Sequence, residues 1–469
     1  MNETKMNENV MDGTIAESAQ EEKGKKGKTW IAILCVVVFV VVVIVLALVL
    51  LNRKKPYEAD FSEDTGDVLN IAVYNEEFIG IMEEYYPDYD AESDWEGEIG
   101  DVTVRFTYIP TGDDFQELLE EGLEERDEDE RIDMFIVEPR FSAEYFTFND
   151  YCLSMEELEL TDYMEDQFGY FINAAMDEEG NVNGIAYESF PGMFIYNRDI
   201  ADEVFGTDDP EEVQEYLADW DRFVEAAEML EEEGYYITSS YDSHYRIFAE
   251  RGDTPWVVDD ELQVPEAYLE WAELTKEMYE EDYMYPAQEW SWEWMELFYD
   301  RDEEFGYFSC PWHLEYTLIP WMSAEEGDWA ACAGPEAFIW GGQILCASAD
   351  TDNPGLVRDI MYQLCCNPEV MMEMAEDGHV VNNRVVMEAM VEEEEMTSEF
   401  LDDQSLAQIY LESSENAVFG NHSLYDAELD TLFKEAMNRY IVEDEDLEDA
   451  LEEFYEMVEA VFPDIEIDD

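Results

Sequence analysis

The chain has 469 residues, of which 122 are acidic and 22 basic, for a formal net charge of −100, while 47% are apolar and 14% aromatic. That charge excludes binding to nucleic acid or an anionic lipid surface, both of which need clustered Lys and Arg. The aromatic content excludes a disordered acidic tail, because chains of that kind bury little apolar surface.

The first 28 residues are polar and end in a lysine-rich run. Trp30 to Leu51 then gives 22 residues without a charge, dominated by Val, Ile and Leu. At about 1.5 Å per residue such a helix spans the roughly 30 Å hydrocarbon core. No Ala-x-Ala cleavage site follows it. Cys35 stands near the start of the apolar run, whereas a lipoprotein signal places its cysteine at the far end. The reading is an uncleaved anchor at 29–51, with a cytoplasmic tail at 1–28 and a linker at 52–66. Lys23, Lys25, Lys26 and Lys28 precede the segment and Arg53, Lys54 and Lys55 follow it, so flanking charge alone orients it weakly. Beyond residue 55 only 14 basic residues face 116 acidic ones, and just Lys276 and Lys434 among them are lysines. Most of this acidity is solvated surface suited to high ionic strength, where repulsion is screened within a Debye length.

From residue 67 strands and helices alternate. Val68–Tyr74 is a buried strand and Glu77–Tyr86 a helix. Val102–Ile109, a helix over Asp113–Leu123 and the apolar Ile132–Val137 complete a parallel α/β unit. Ligands of open parallel sheets bind beyond the carboxyl ends of the strands, where Glu138 and Arg140 fall. A second unit follows, with strands at Phe194–Tyr196 and Tyr235–Ile237 and a helix expected over Glu212–Glu232. Trp290, Trp292 and Trp294 cannot share one helical face, so part of that cluster packs and part rims a cleft. From Pro354 the chain is nearly all helical, with Asn353-Pro354 and Asn367-Pro368 as start signals.

Four stretches in this order resemble the family 1 extracellular solute-binding proteins, the maltose-binding-protein-like receptors of carbohydrate ABC transporters. They are Gly184-Ile-Ala-Tyr-Glu-Ser running into Phe194-Ile-Tyr-Asn-Arg-Asp, Trp220-Asp-Arg-Phe-Val-Glu-Ala-Ala, Gly306-Tyr-Phe-Ser-Cys-Pro-Trp, and Trp340-Gly-Gly-Gln through Asn353-Pro354. Val380-Val-Asn-Asn, Phe400-Leu-Asp-Asp-Gln and Tyr425-Asp-Ala-Glu-Leu extend the match to about residue 467. The resemblance implies a two-lobed periplasmic-binding-protein-like fold of type II, with a hinge and a helical C-terminal part, preceded here by the transmembrane helix. It implies an N-terminal lobe of 67–187 and 311–378 and a C-terminal lobe of 188–310 and 379–469. Asp402-Asp403 departs from the family's paired glycines, at a place where φ > 0 is a requirement glycine meets most easily.

The same resemblance suggests where a ligand sits. Trp312 matches the tryptophan that stacks on a sugar ring; its alternative is a core tryptophan capping a strand. Glu188 matches the carboxylate of the first crossover, which accepts hydroxyl hydrogen bonds, or else is a solvated hinge acid. Glu138 and Arg140 close a first-lobe strand, although Arg140 equally serves to neutralise nearby acids. Tyr241, Tyr245, Arg246 and Tyr425 fall where the second lobe presents contacts, and ordinary packing explains each as well.

The implied function is a membrane-tethered extracellular receptor that captures a mono- or oligosaccharide and delivers it to an ABC permease, without a cofactor or metal. The alternative is a surface receptor that reports ligand to a membrane partner. An enzyme has little support: no Gly-x-Ser-x-Gly, His-Glu-x-x-His or phosphate loop is present, and pairs of carboxylates are too numerous to signify. The seven cysteines include no CxxC pair and suggest buried thiols, with Cys310–Cys332 or Cys332–Cys346 bridges as the extracellular alternative. His244, His313, His379 and His422 are scattered and suggest no metal cluster. Asp350-Thr-Asp-Asn-Pro-Gly resembles a calcium-loop opening, but Met361 stands where the closing acid belongs, so it reads as a helix cap.

Overall fold

Val68–Val73 (β1) is buried at every position, as a strand covered on both faces must be. It pairs in parallel with Val102–Tyr108 (β4) on one side and Met134–Val137 (β5) on the other. The hairpin of Tyr89–Ser93 (β2) and Glu96–Ile99 (β3) extends the β4 edge. Ile344–Ser348 (β14) returns antiparallel to β5, and Cys152–Leu153 (β6) and Ile185–Ala186 (β7) pair with it. This is the first sheet, in the order β2-β3-β4-β1-β5-β14-β6.

A second, four-stranded sheet is built from Met193–Asn197 (β8), Tyr236–Thr238 (β9), Glu304–Ser309 (β12) and Trp329–Cys332 (β13), in the order β13-β8-β12-β9. A small hairpin, Val257–Val258 (β10) with Glu261–Leu262 (β11), stands apart from it. Each large sheet has its own core. The second gathers Trp256, Trp271, Phe194, Phe305 and Phe433, and the helices Asp426–Val442 and Leu447–Val461 close over it.

The computed structural model describes residues 56–469, apart from 111–114, 126–129, 142–150, 178, 252–253, 259, 301–302, 323, 421–422 and 468–469. The proposed anchor at 29–51, Cys35 and His422 therefore lie outside the described residues. Ala59–Asp469 forms one compact unit. No helix among the described residues is long and apolar enough to cross a membrane.

Several expectations change on contact with the fold. The long helix expected over Glu212–Glu232 is two, Pro210–Tyr216 and Trp220–Glu233. Asp219 breaks it: extended at φ −157°, its carboxylate accepts from the Arg222 amide and caps the second piece. Asn367 caps its helix as expected, accepting from the Glu369 amide. At Pro354 the cap comes instead from Asp64, whose carboxylate accepts from the amides of Gly355 (2.7 Å) and Leu356 (3.0 Å). Asn353 turns inward and donates to the Val68 carbonyl at 2.8 Å.

At residue 311, where a return to the first lobe is expected, Trp312 packs against the first core. After Pro311 a π-helical turn at Leu314–Leu318 swings the chain back. β13 then pairs antiparallel with β8, so the chain rejoins the first sheet only at β14.

Asp402 and Asp403 sit at φ 60° and 55°, the left-handed geometry that their glycine counterparts would adopt freely. Aspartate is among the few side chains that tolerate it. The turn delivers Gln404, whose side chain accepts from the Ala331 amide (2.9 Å) and donates to the Ala331 carbonyl (2.7 Å). One side chain thus imitates a strand neighbour on the β13 edge.

Candidate functional site

Three crossings join the two sheets, and they lie side by side. The Ser189 amide donates to the Val380 carbonyl (2.7 Å) and the Asn382 amide to the Tyr187 carbonyl (2.9 Å). On the other side the Gly192 amide donates to Phe338 (2.7 Å) and the Trp340 amide to Phe190 (2.9 Å). Segments 187–192, 338–343 and 379–382 therefore make a narrow hinge.

A cleft of about 620 Å³ opens against it, within the range of small-molecule sites. The first lobe contributes Glu76, Glu77, Ile81 and Glu84 from the helix Glu77–Tyr85 and its lead-in. The hinge contributes Glu188, Phe190, Gly378, His379 and Val380, and the second lobe Pro311, Trp312, Glu315, Tyr316 and Tyr410.

Trp312 is half-buried and held on two sides. Its Nε1 donates to the Trp340 carbonyl at 2.8 Å, and its ring meets the Trp340 ring edge-on at 4.8 Å. Trp290 lies nearly parallel to it, 14° off with centroids 6.3 Å apart. The Trp340 carbonyl is free to accept because Gly341 and Gly342 turn the chain at φ 89° and 138°. A Cβ on Gly342 would stand 2.7 Å from the Phe171 ring. The same turn lets the Tyr74 hydroxyl donate to the Gly342 carbonyl at 3.0 Å.

A buried acidic group lines the same cleft. Glu188 Oε1 lies 2.6 Å from His379 Nδ1, while its Oε2 is shielded from solvent and meets no donor. The His379 imidazole loses hydration by burial, but the Glu188 hydrogen bond and charge outweigh that and raise its pKa. Glu77 accepts from Gln343 and from Asn75. Burial first, and the Glu188 charge second, push the Glu77 carboxyl up to about 7.

Of the sequence-derived candidates, Trp312 and Glu188 line the cleft. Arg246 lies beneath the aromatic wall, its guanidinium 3.5 Å from the Trp340 ring centroid and paired with Glu289 at 2.7 Å. Glu138 and Arg140 pair with each other at 3.1 Å beyond β5, with Arg140 over the Phe141 ring, and neither lines the cleft. Tyr241 and Tyr245 are buried in the second core. Tyr425 packs on Phe462 there, with centroids 5.2 Å apart. The tryptophan cluster divides: Trp294 is buried and donates to Ser239, whereas Trp290 and Trp292 are exposed.

Sequence reading missed Glu77, His379, Tyr316 and Tyr410. Glu77 had a signal, since it opens the first helix beyond the carboxyl end of β1. His379 is marked only by Gly378 before it. Among the described residues, no group of side chains is arranged to hold a metal ion. The six described cysteines are buried and free, so neither candidate bridge forms.

The architecture is the mixed α/β fold of two-lobed type II periplasmic binding proteins. A solved structure of an extracellular solute-binding protein family 1 member matches with a TM-score of 0.70 at 15% identity, covering 84% of this chain and 99% of that one. The sugar-binding protein MalE of Xanthomonas citri matches at 0.65 and 13% identity, over 84% of this chain and 97% of that one. The galacto-N-biose-/lacto-N-biose I-binding protein of an ABC transporter from Bifidobacterium longum, in complex with lacto-N-biose, matches at 0.62 and 12% identity over 87% and 100%. No protein-family model matches the sequence, and no curated protein does. The family resemblance read from the sequence thus stands at the level of the fold.

Proposed function

We propose that this protein is an extracellular solute-binding protein of an ABC importer, tethered to the membrane by the Trp30–Leu51 segment, that captures a saccharide between its lobes and hands it to the permease. The observation that carries the reading is the hinge cleft itself, lined by the pre-oriented Trp312 and by the buried Glu188 with one oxygen unpaired. A flat apolar face and a converging carboxylate are what a sugar ring needs, one for its C–H face and one for its hydroxyls. The fold neighbours include sugar-binding proteins, which supports a saccharide over other small solutes. They are binding proteins, in keeping with a receptor rather than an enzyme.

A melting-temperature screen of the full-length protein against mono- and oligosaccharides, amino acids and polyamines tests the reading. A shift of several degrees with one saccharide class is expected. A shift confined to amino acids or polyamines would overturn the carbohydrate assignment and keep the fold. Co-purification of a permease with the membrane-extracted protein is expected of an importer component, and its absence would favour a stand-alone receptor.

A further inference from the structure

Resting on the proposed receptor function, the geometry points to a saccharide that carries a free amino group, so that an ammonium sits against Glu188 and Glu77. Among the described residues lining the cleft there is no Lys and no Arg, while Glu76, Glu77, Glu84, Glu188, Glu315 and Asp377 all contribute. On so acidic a chain, exposed carboxylates alone would say nothing. Glu188 is different: only 4% exposed, it gives one oxygen to His379 and leaves the other without a donor. A buried carboxylate oxygen without a partner is costly, and a donor brought by a ligand as the lobes close would complete it.

The nearby cations are already committed. Arg246 is taken by Glu289, the Ser243 carbonyl and the Trp340 ring. Arg140 is taken by Glu138. His379 balances Glu188, and Glu77, pushed up to about 7, is left poised to give up its proton beside an incoming cation. A hydroxyl would satisfy the free oxygen yet gain nothing from an ionised Glu77. An ammonium does both, and the aromatic faces of Trp312 and Tyr316 in the same cleft favour a cation further. The same field excludes uronic acids and sugar phosphates.

The test is titration calorimetry of the full-length protein with glucosamine and galactosamine, free and as short oligomers, beside their N-acetylated and all-hydroxyl counterparts and spermidine. The amino forms are expected to bind at least tenfold tighter than either counterpart. Glu188→Gln and Glu77→Gln, each verified as folded by its melting curve, are expected to remove most of that margin. Equal affinity for amino, acetylated and hydroxyl forms would overturn the proposal and leave the saccharide receptor intact. A margin that survives in both variants would also overturn it, by placing the ammonium elsewhere. Binding of spermidine alone, or of nothing in the panel, would overturn the saccharide reading with it.

Discussion

Trp312→Ala separates a ligand platform from a packing residue. The ring is fixed before any ligand arrives, by its 2.8 Å hydrogen bond to the Trp340 carbonyl and its edge contact with Trp340. Its stacking energy is thus not reduced by an ordering cost on binding. A stacked aromatic face contributes about 1–3 kcal/mol, or roughly a 5- to 150-fold rise in Kd when it is removed. The fold should weaken too. A fully buried aromatic replaced by alanine costs about 3–5 kcal/mol, and a half-buried one about half of that, on the order of 2 kcal/mol. Trp312→Phe keeps an apolar face and forfeits the hydrogen bond, with a net cost of about 1 kcal/mol. Calorimetry on both variants, at a temperature where melting curves show each folded, reads the two effects separately. The expected order of affinity is wild type, then Phe, then Ala. A folded Trp312→Ala protein that binds its saccharide within twofold of wild type would refute the platform and leave Trp312 a core residue.

Other outcomes follow from the same geometry. Glu77, raised to about 7, and His379, also raised, bind protons more tightly when folded than when unfolded, so each contributes stability in acid that is lost as pH climbs through its folded value. The ligand-free protein should therefore melt at a higher temperature at pH 5 than at pH 8.5, and Glu77→Gln should flatten the difference; an unchanged slope would remove Glu77 as its source. Net charge of −100 predicts that melting temperature rises steadily between ~0.05 and ~1 M salt, as the Debye length falls from over 10 Å to about 3 Å; a flat series would contradict the reading of the acidity. Gln404→Ala removes both hydrogen bonds to Ala331 and should cost about 1–3 kcal/mol in denaturant unfolding. Asp403→Val, forced into φ 55°, should cost about 1–2 kcal/mol while Asp403→Gly costs nothing, and equal stabilities would argue against a left-handed turn.

Much of the fold could be read in advance because its signals are local. The buried run Val68–Val73, the Pro-led helices and the order of the crossover motifs each declare themselves within a dozen residues. What could not be read depends on distant partners. Asp64 caps a helix 290 residues away, and nothing in its own neighbourhood announces that. The pairing of β13 with β8 is decided by a strand more than 130 residues earlier, and no local pattern near Pro311 announces it.

The site divides the same way. Trp312 and Glu188 were legible because strand and hinge motifs carry them. Tyr241 and Tyr245 were assigned by position, but burial is a property of the whole second lobe and draws them into its core. His379 escaped because it has no motif, and Glu77, although it opens the helix after β1, shows its role only when the folded hinge brings both to Glu188.

The most direct test of the central claim is a crystal structure of the protein with the saccharide that most raises its melting temperature. Density is expected for a sugar ring lying flat against Trp312, with a hydroxyl or amine within hydrogen-bond reach of Glu188 Oε2. A ligand bound outside the hinge cleft, or inside it without touching either residue, would contradict that claim.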